Sequence, residues 1–145
     1  MLYVVTGPPA AGKSSWIQAH AKATDIVIDL DLMALAMAGP GADHHAHTDV
    51  LMRVVHRARF AALNEAYQHL DKTDVYVIHT QPSTKTIKKY ERLDARIITV
   101  DPGREIVMRR IDAMRQPGMA RVASRWYNAR RRQSPNAMPQ ASRPW

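Results

Sequence analysis

Apolar residues gather in four short runs, at 2–6, 25–30, 75–78 and 96–100, and each is followed by a stretch with helical spacing. Runs of four to six apolar residues read as buried strands, whereas recurrence at three and four residues reads as one helix face. The pattern therefore predicts strands at these four places. Helices are expected from 13 to about 24, over 32–38, from a Thr48 cap to about 70, over 82–93, from 101 to about 114 and over 120–132. In the long helix Leu51, Val54, Val55, Ala58, Ala62 and Ala66 share a face, with Arg53, Arg57 and Arg59 elsewhere. Gly39-Pro40-Gly41 and Gln116-Pro117-Gly118 supply breaks, and Asp101-Pro102 has the cap-then-proline signature of a helix start. Strands alternating with helices imply an α/β chain whose parallel sheet, of about four strands, is covered on both faces. Ligands of such sheets bind beyond the carboxyl ends of the strands.

Composition narrows this picture. With 145 residues the chain suits one domain over 1–133 and a loose proline-bearing tail over 134–145. No apolar run approaches the ~20 residues of a membrane span, and the first strand begins at once, so a soluble cytoplasmic protein without membrane partners is expected. The absence of cysteine removes disulfides, thiolate metal sites and cysteine nucleophiles from consideration. Net charge is +8, and from Arg109 onward nine arginines face a single acid, Asp112. Such a field suits a polyanion, because cations that neutralise phosphates release condensed counterions. A solvated basic helix and arginines that close over a bound triphosphate are the other readings of the same residues.

The chemistry starts directly after the first run. Gly7-Pro8-Pro9-Ala10-Ala11-Gly12-Lys13-Ser14 fits the phosphate-binding loop template of Gly, four residues, Gly-Lys and Ser. Its glycines allow unusual dihedrals and close approach to phosphate. From Gly7 through Ser15 the amide hydrogens, which Pro8 and Pro9 lack, then face the anion, Lys13 sets a compact cation against the β- and γ-phosphates, and Ser14 offers a hydroxyl to Mg²⁺. With the alternating pattern, this makes the expected fold the three-layer P-loop NTPase type with a helical, arginine-bearing lid. ATP and Mg²⁺ are the expected donor and cofactor.

Residues at the other strand ends point to a reaction. Asp31, just past the second strand, is placed to accept the proton of an attacking hydroxyl, and Asp29 to serve Mg²⁺ through water or to meet the acceptor. Capping of the following helix is the alternative for both. The third strand ends in His79-Thr80-Gln81 without an acid, which counts against a motor ATPase, and no Asn-Lys-x-Asp guanine-reading motif is present. Arg109, Arg110 and Arg115 flank the end of the 101–114 helix, where planar guanidiniums can bridge phosphate oxygens. His44, His45 and His47 read as a polar loop rather than a metal site, and Trp126 and Tyr127 as packing residues or stacking platforms.

In these motifs the chain resembles the kinase domain of polynucleotide 5′-kinases, within the adenylate-kinase-like P-loop phosphotransferases, over nearly its whole length. That family follows Gly-x-Pro-x-x-Gly-Lys-Ser with a second strand ending in Asn-Arg-Asp, whose last residue is the base toward the 5′-hydroxyl; Asp29-Leu30-Asp31 stands there. His79-Thr80-Gln81 occupies the place of Asp-Thr-Asn, and 99–110, Arg115 and 122–127 resemble the lid. The resemblance implies transfer of the γ-phosphate of ATP to a 5′-hydroxyl of DNA or RNA. It gives Lys13, Asp31, Arg109 and Arg115 catalytic roles, with Arg109 and Arg115 ahead of Arg110, and sets Asp29, Arg53 and Thr80 on the acceptor side. Ala34 departs from the family, which has an acceptor arginine there; Arg53 and Arg57 are the candidates to replace it. The other readings are a nucleotide or small-molecule kinase and a nucleic-acid-binding module that uses ATP without catalysis.

Overall fold

The run Leu-Tyr-Val-Val-Thr forms strand β1 (Leu2–Thr6), and its odd and even residues enter different cores. With β2 (Ile26–Ile28), β3 (Val75–Ile78) and β4 (Arg96–Thr99) it builds a four-stranded, all-parallel sheet of order β2-β3-β1-β4. This computed structural model describes residues 1–114 and 118–133; Arg115 and the expected tail at 134–145 lie outside the described residues. Helices α1 (Lys13–His20), α2 (Leu30–Met37), α3 (Asp49–Ala66), α4 (Thr84–Arg92), α5 (Arg104–Met114) and α6 (Met119–Gln133) connect and cover the strands. The chain is therefore α/β, as its alternating pattern predicts.

Two cores follow from the alternation of strand side chains. On one face Leu2, Val4, Val75 and Val77 pack with Leu63 and Ala66 of α3 and Tyr90 of α4. On the other Val5, Tyr76 and Val100 pack with Ile17 of α1, Val107 and Ile111 of α5, and Ala123 of α6. Each fully buried aliphatic side chain contributes about 1.5–3 kcal/mol, so the central pair β1 and β3 is where the sheet is anchored. The expected cover on both faces holds there but not at the rims: Ile26 and Val27 of β2 and Ile97 of β4 are exposed. Among the described residues no helix is long and apolar enough to cross a membrane.

Local chemistry moves several boundaries from their expected places. The second strand is shorter than 25–30, because the Asp29 carboxylate accepts from the Asp31 amide and opens α2 at Leu30. Helix α1 stops at His20 rather than near 24, where Asp25 closes a turn by accepting from the Lys22 amide. The long helix ends at Ala66, continues as a 3-10 turn over Tyr67–His69, and is capped by Thr48 as expected. Its buried residues are Val55, Leu63 and Ala66, while Val54, expected on the same face, is exposed. Ser83 caps α4, so that helix begins at Thr84 and not at Pro82.

Candidate functional site

Between β1 and α1 the chain turns through a loop whose first residue has to be glycine. Gly7 has φ of +144°, and a Cβ there would lie 2.2 Å from the Val100 carbonyl oxygen. No side chain fits. Pro8 and Ala11 are buried, Pro9 and Ala10 half-buried, and Ala10 itself takes a left-handed φ of 59°. Gly12, with φ of 97°, precedes α1, and no side chain caps that helix. The amides of its first turn, including Ser14 and Ser15, thus sit at the positive end of the helix dipole.

Lys13 folds back over this loop. Its Nζ donates to the carbonyls of Gly7 and Pro8, at 3.0 and 2.6 Å. Burial lowers its pKa to about 8, and the nearby carboxylates of Asp31 and Asp29 oppose the shift. Beside it the Ser14 hydroxyl donates to Asp29 Oδ2 at 3.1 Å, while Asp29 Oδ1 receives the Asp31 amide at 3.0 Å. One buried carboxylate therefore joins α1 to α2. Asp29, expected on the acceptor side, lies against Ser14, and Asp31 stands exposed in the first turn of α2, close enough to act on the charge of Lys13. A divalent cation at Ser14 and Asp29 would find two oxygens from the chain and would take its other ligands from phosphate and water.

The other expected residues divide between those that reach this loop and those that do not. Arg109 pairs with Glu105 on its own helix at 3.2 Å, both side chains largely exposed. Arg110, ranked below it in the sequence reading, instead donates to the Ala10 carbonyl at 3.0 Å and brings a guanidinium to the loop, a second positive charge besides Lys13. Arg115 lies outside the described residues. Arg53 is exposed on α3, whereas Arg59 from the same helix donates to the Ile78 carbonyl at the end of β3. Thr80 holds three elements together: its carbonyl accepts from the Gly7 amide at 3.4 Å and from Trp126 Nε1 at 3.0 Å. Ala34 is fully buried, so its position has no room for the arginine that the resembled family carries.

Two polar groupings escaped sequence reasoning. His79 Nδ1 meets the Tyr90 hydroxyl at 2.9 Å, and burial with the nearby Arg59 charge lowers its pKa to about 4, so it is neutral at physiological pH. Tyr127 donates to the buried Asp101 carboxylate at 2.6 Å, and its burial, reinforced by this hydrogen bond, pushes its own pKa well up. Asp101 also accepts from the Gly103 amide and so sets the turn into α5. The Asp-Pro dipeptide announced this turn, but a partner 26 residues onward in α6 has no local signature. Neither a family model nor a curated protein matches the chain.

Proposed function

We propose that the chain is a Mg²⁺-dependent phosphotransferase that moves the γ-phosphoryl group of ATP onto a hydroxyl, with the 5′-hydroxyl of DNA or RNA as acceptor. The observation that carries this reading is the Ser14–Asp29 pair, 3.1 Å apart, beside a lysine folded over a glycine-turned loop. A hydroxyl, a carboxylate, an ammonium and helix amides are the parts that a triphosphate with its cation requires. Bound Mg²⁺ would neutralise charge on the β- and γ-phosphates. Lys13 and the loop amides orient the phosphates, and Arg110 adds positive charge at the rim. Asp31 takes the proton of the acceptor hydroxyl as its oxygen bonds to the γ-phosphorus and the bond from that phosphorus to the β,γ-bridging oxygen breaks. ADP leaves. Positioning and charge provide most of the rate, so no covalent enzyme group is needed.

A second reading, a small-molecule kinase on the same scaffold, is favoured by buried Ala34 and exposed Arg53, which leave the acceptor side with fewer cations than a strand would use. The deciding experiment is transfer of labelled γ-phosphate from ATP, with Mg²⁺, to a 5′-hydroxyl oligonucleotide and in parallel to a mononucleotide panel. Wild-type label on the oligonucleotide that is lost in Lys13→Ala and Asp31→Asn is the expected result. Label only on a mononucleotide would select the second reading. Tight, steeply salt-dependent strand binding with no transfer to either would overturn both and leave a nucleic-acid-binding module that uses ATP without catalysis.

A further inference from the structure

The sheet ends in two edges that differ in what they leave open. Where β1 pairs with β4, the Val100 amide donates to the Thr6 carbonyl, and the Ile98 carbonyl accepts from the Thr6 hydroxyl. Backbone groups of a parallel strand point to its two sides at alternate residues, so Ile98 and Val100 face β1 while Ile97 and Thr99 face outward. Among the described residues no strand pairs with that outer side of β4. At the opposite edge the Ile26 amide donates to the Asp74 carbonyl, which turns Ile26 and Ile28 toward β3 and leaves only Val27 outward. Natural edges are commonly blocked by proline, an inward charge or a bulge. Ile97-Ile98-Thr99 carries neither proline nor charge, and its register with β1 runs without a bulge.

Beside this edge lies a cleft of about 490 Å³, on the sheet face that carries Leu2 and Val4. Thr6, Ile97 and Thr99 of the sheet, Ile87 of α4, and Trp126 and Arg130 of α6 are among the residues that line it. None of the 8–14 loop residues and neither Asp29 nor Asp31 does. Ile97 is 41% exposed, so apolar surface and open backbone coincide. Arg130 is the one charged side chain in the lining, with its guanidinium 5.0 Å over the Trp126 ring. That ring is fixed in turn, because its indole N–H is held by the Thr80 carbonyl.

We infer that the outer edge of β4 takes up an extended acidic peptide segment of a partner protein as a fifth strand. The backbone of such a segment satisfies Ile97 and Thr99, and its side chains on the cleft face recur about every 7 Å, two residues of strand. An aliphatic side chain then meets Ile87 and Ile97, and a carboxylate meets Arg130. Charge selects the partner. The lining holds a cation and no acid, and the chain has a net charge of +8, so a second copy would bring like charge to the same edge. The inference does not depend on what the 7–14 loop binds.

The test is amide NMR of the full chain titrated with the peptide acetyl-Glu-Thr-Val-Thr-Glu-amide, which reads alike in both directions. The Ile97 and Thr99 amides are expected to shift saturably at millimolar concentration or below. The same peptide with lysine for glutamate should bind at least tenfold more weakly, and Arg130→Gln should remove most of that preference. An added strand turns its amides toward β4 at alternate residues only. N-methylation at both threonines or at the valine should therefore abolish binding in one case and leave it within about threefold in the other. Loss at the threonines identifies a parallel strand and loss at the valine an antiparallel one; both keep the inference. Ile97→Pro removes an outward N–H that β1 does not use and should also abolish binding, and the methylated peptides probe the same contact in wild type should that variant fail to fold. Absence of binding at millimolar concentration overturns the inference, as does equal loss in both methylated peptides or in neither. An oligonucleotide that moves these two amides where the peptide does not would assign the edge to nucleic acid, and a wild-type dimer that Ile97→Pro dissociates would assign it to a second copy. Either result overturns it.

Discussion

Ser14 and Asp29 meet at 3.1 Å, fifteen residues apart in sequence, where the first turn of α1 passes the N-cap of α2. The carboxylate serves both elements, with one oxygen on the hydroxyl and the other on the Asp31 amide. Asp29→Ala removes a cap and a charge-assisted hydrogen bond, and about 1–2 kcal/mol of stability should be lost in urea unfolding. Asp29→Asn keeps a cap oxygen and should lose less than half of that. Its decisive effect should be on ATP binding: the gain in affinity that wild type shows on adding Mg²⁺ should shrink at least tenfold. Equal Mg²⁺ dependence in both proteins would remove Asp29 from the cation site.

Gly7 and Gly103 both have positive φ, yet their substitutions should differ sharply. At Gly7 the added Cβ meets the Val100 backbone oxygen at 2.2 Å, whereas at Gly103 nothing lies within 4 Å. Gly103→Ala should cost only the conformational penalty, about 1 kcal/mol. Gly7→Ala must also push β1 from β4 and should cost more than about 3 kcal/mol. Thermal unfolding of the two variants checks this. A Gly7→Ala protein as stable as Gly103→Ala would mean that the loop relaxes freely.

Much of this architecture was legible because it is written locally. The strands at 2–6 and 75–78 appear at the expected bounds, since continuous apolar runs between turns have no other use in a chain this size. That the chain turns at 7–12 was legible too, although the close approach at Gly7 is to the Val100 carbonyl rather than to a phosphate. For Asp29 the cap was one of several readings, and sequence spacing does not tell a cap from a cation or acceptor contact. Arg110 and Arg109 are adjacent and chemically identical, and only the helix phase relative to Ala10 separates them. The meeting of Thr6, Thr99 and Arg130 around one cleft was invisible for a related reason: they come together through strand register and the path of α6, not through any pattern along the chain.

His79 should make the fold acid-sensitive. Its folded pKa of about 4 lies below the ordinary 6.5, so between these values the unfolded chain binds more protons and stability falls as pH falls. Above pH 6.5 the contribution is fully present, and by pH 4 it is gone. Allowing for partial exposure, its size is about 1–2 kcal/mol. Unfolding free energies of wild type and His79→Asn at pH 7 and 4.5 isolate it, because the carboxylates common to both proteins cancel in the difference. A wild-type advantage that is the same at both pH values would show that His79 does not carry the effect.

Lys13 supplies a test of the loop that does not rely on turnover. Burial holds its pKa at about 8, below the ordinary 10.5, so much of the free protein has lost this charge by pH 8.5. A phosphate seated on the loop favours the ammonium and raises that pKa, so binding must take up a proton in this range. The affinity for ATP should therefore fall as pH rises above about 8, by up to tenfold per pH unit. Below about pH 7, where the free lysine is already charged, this contribution to the pH dependence should vanish. Calorimetry of ATP binding at pH 8.5 in two buffers of different ionisation enthalpy should report net proton uptake for wild type, reduced in Lys13→Met. Uptake that survives in Lys13→Met unchanged would place the titrating group elsewhere. Binding without uptake in wild type would mean that Lys13 keeps its carbonyl partners and never reaches the phosphate.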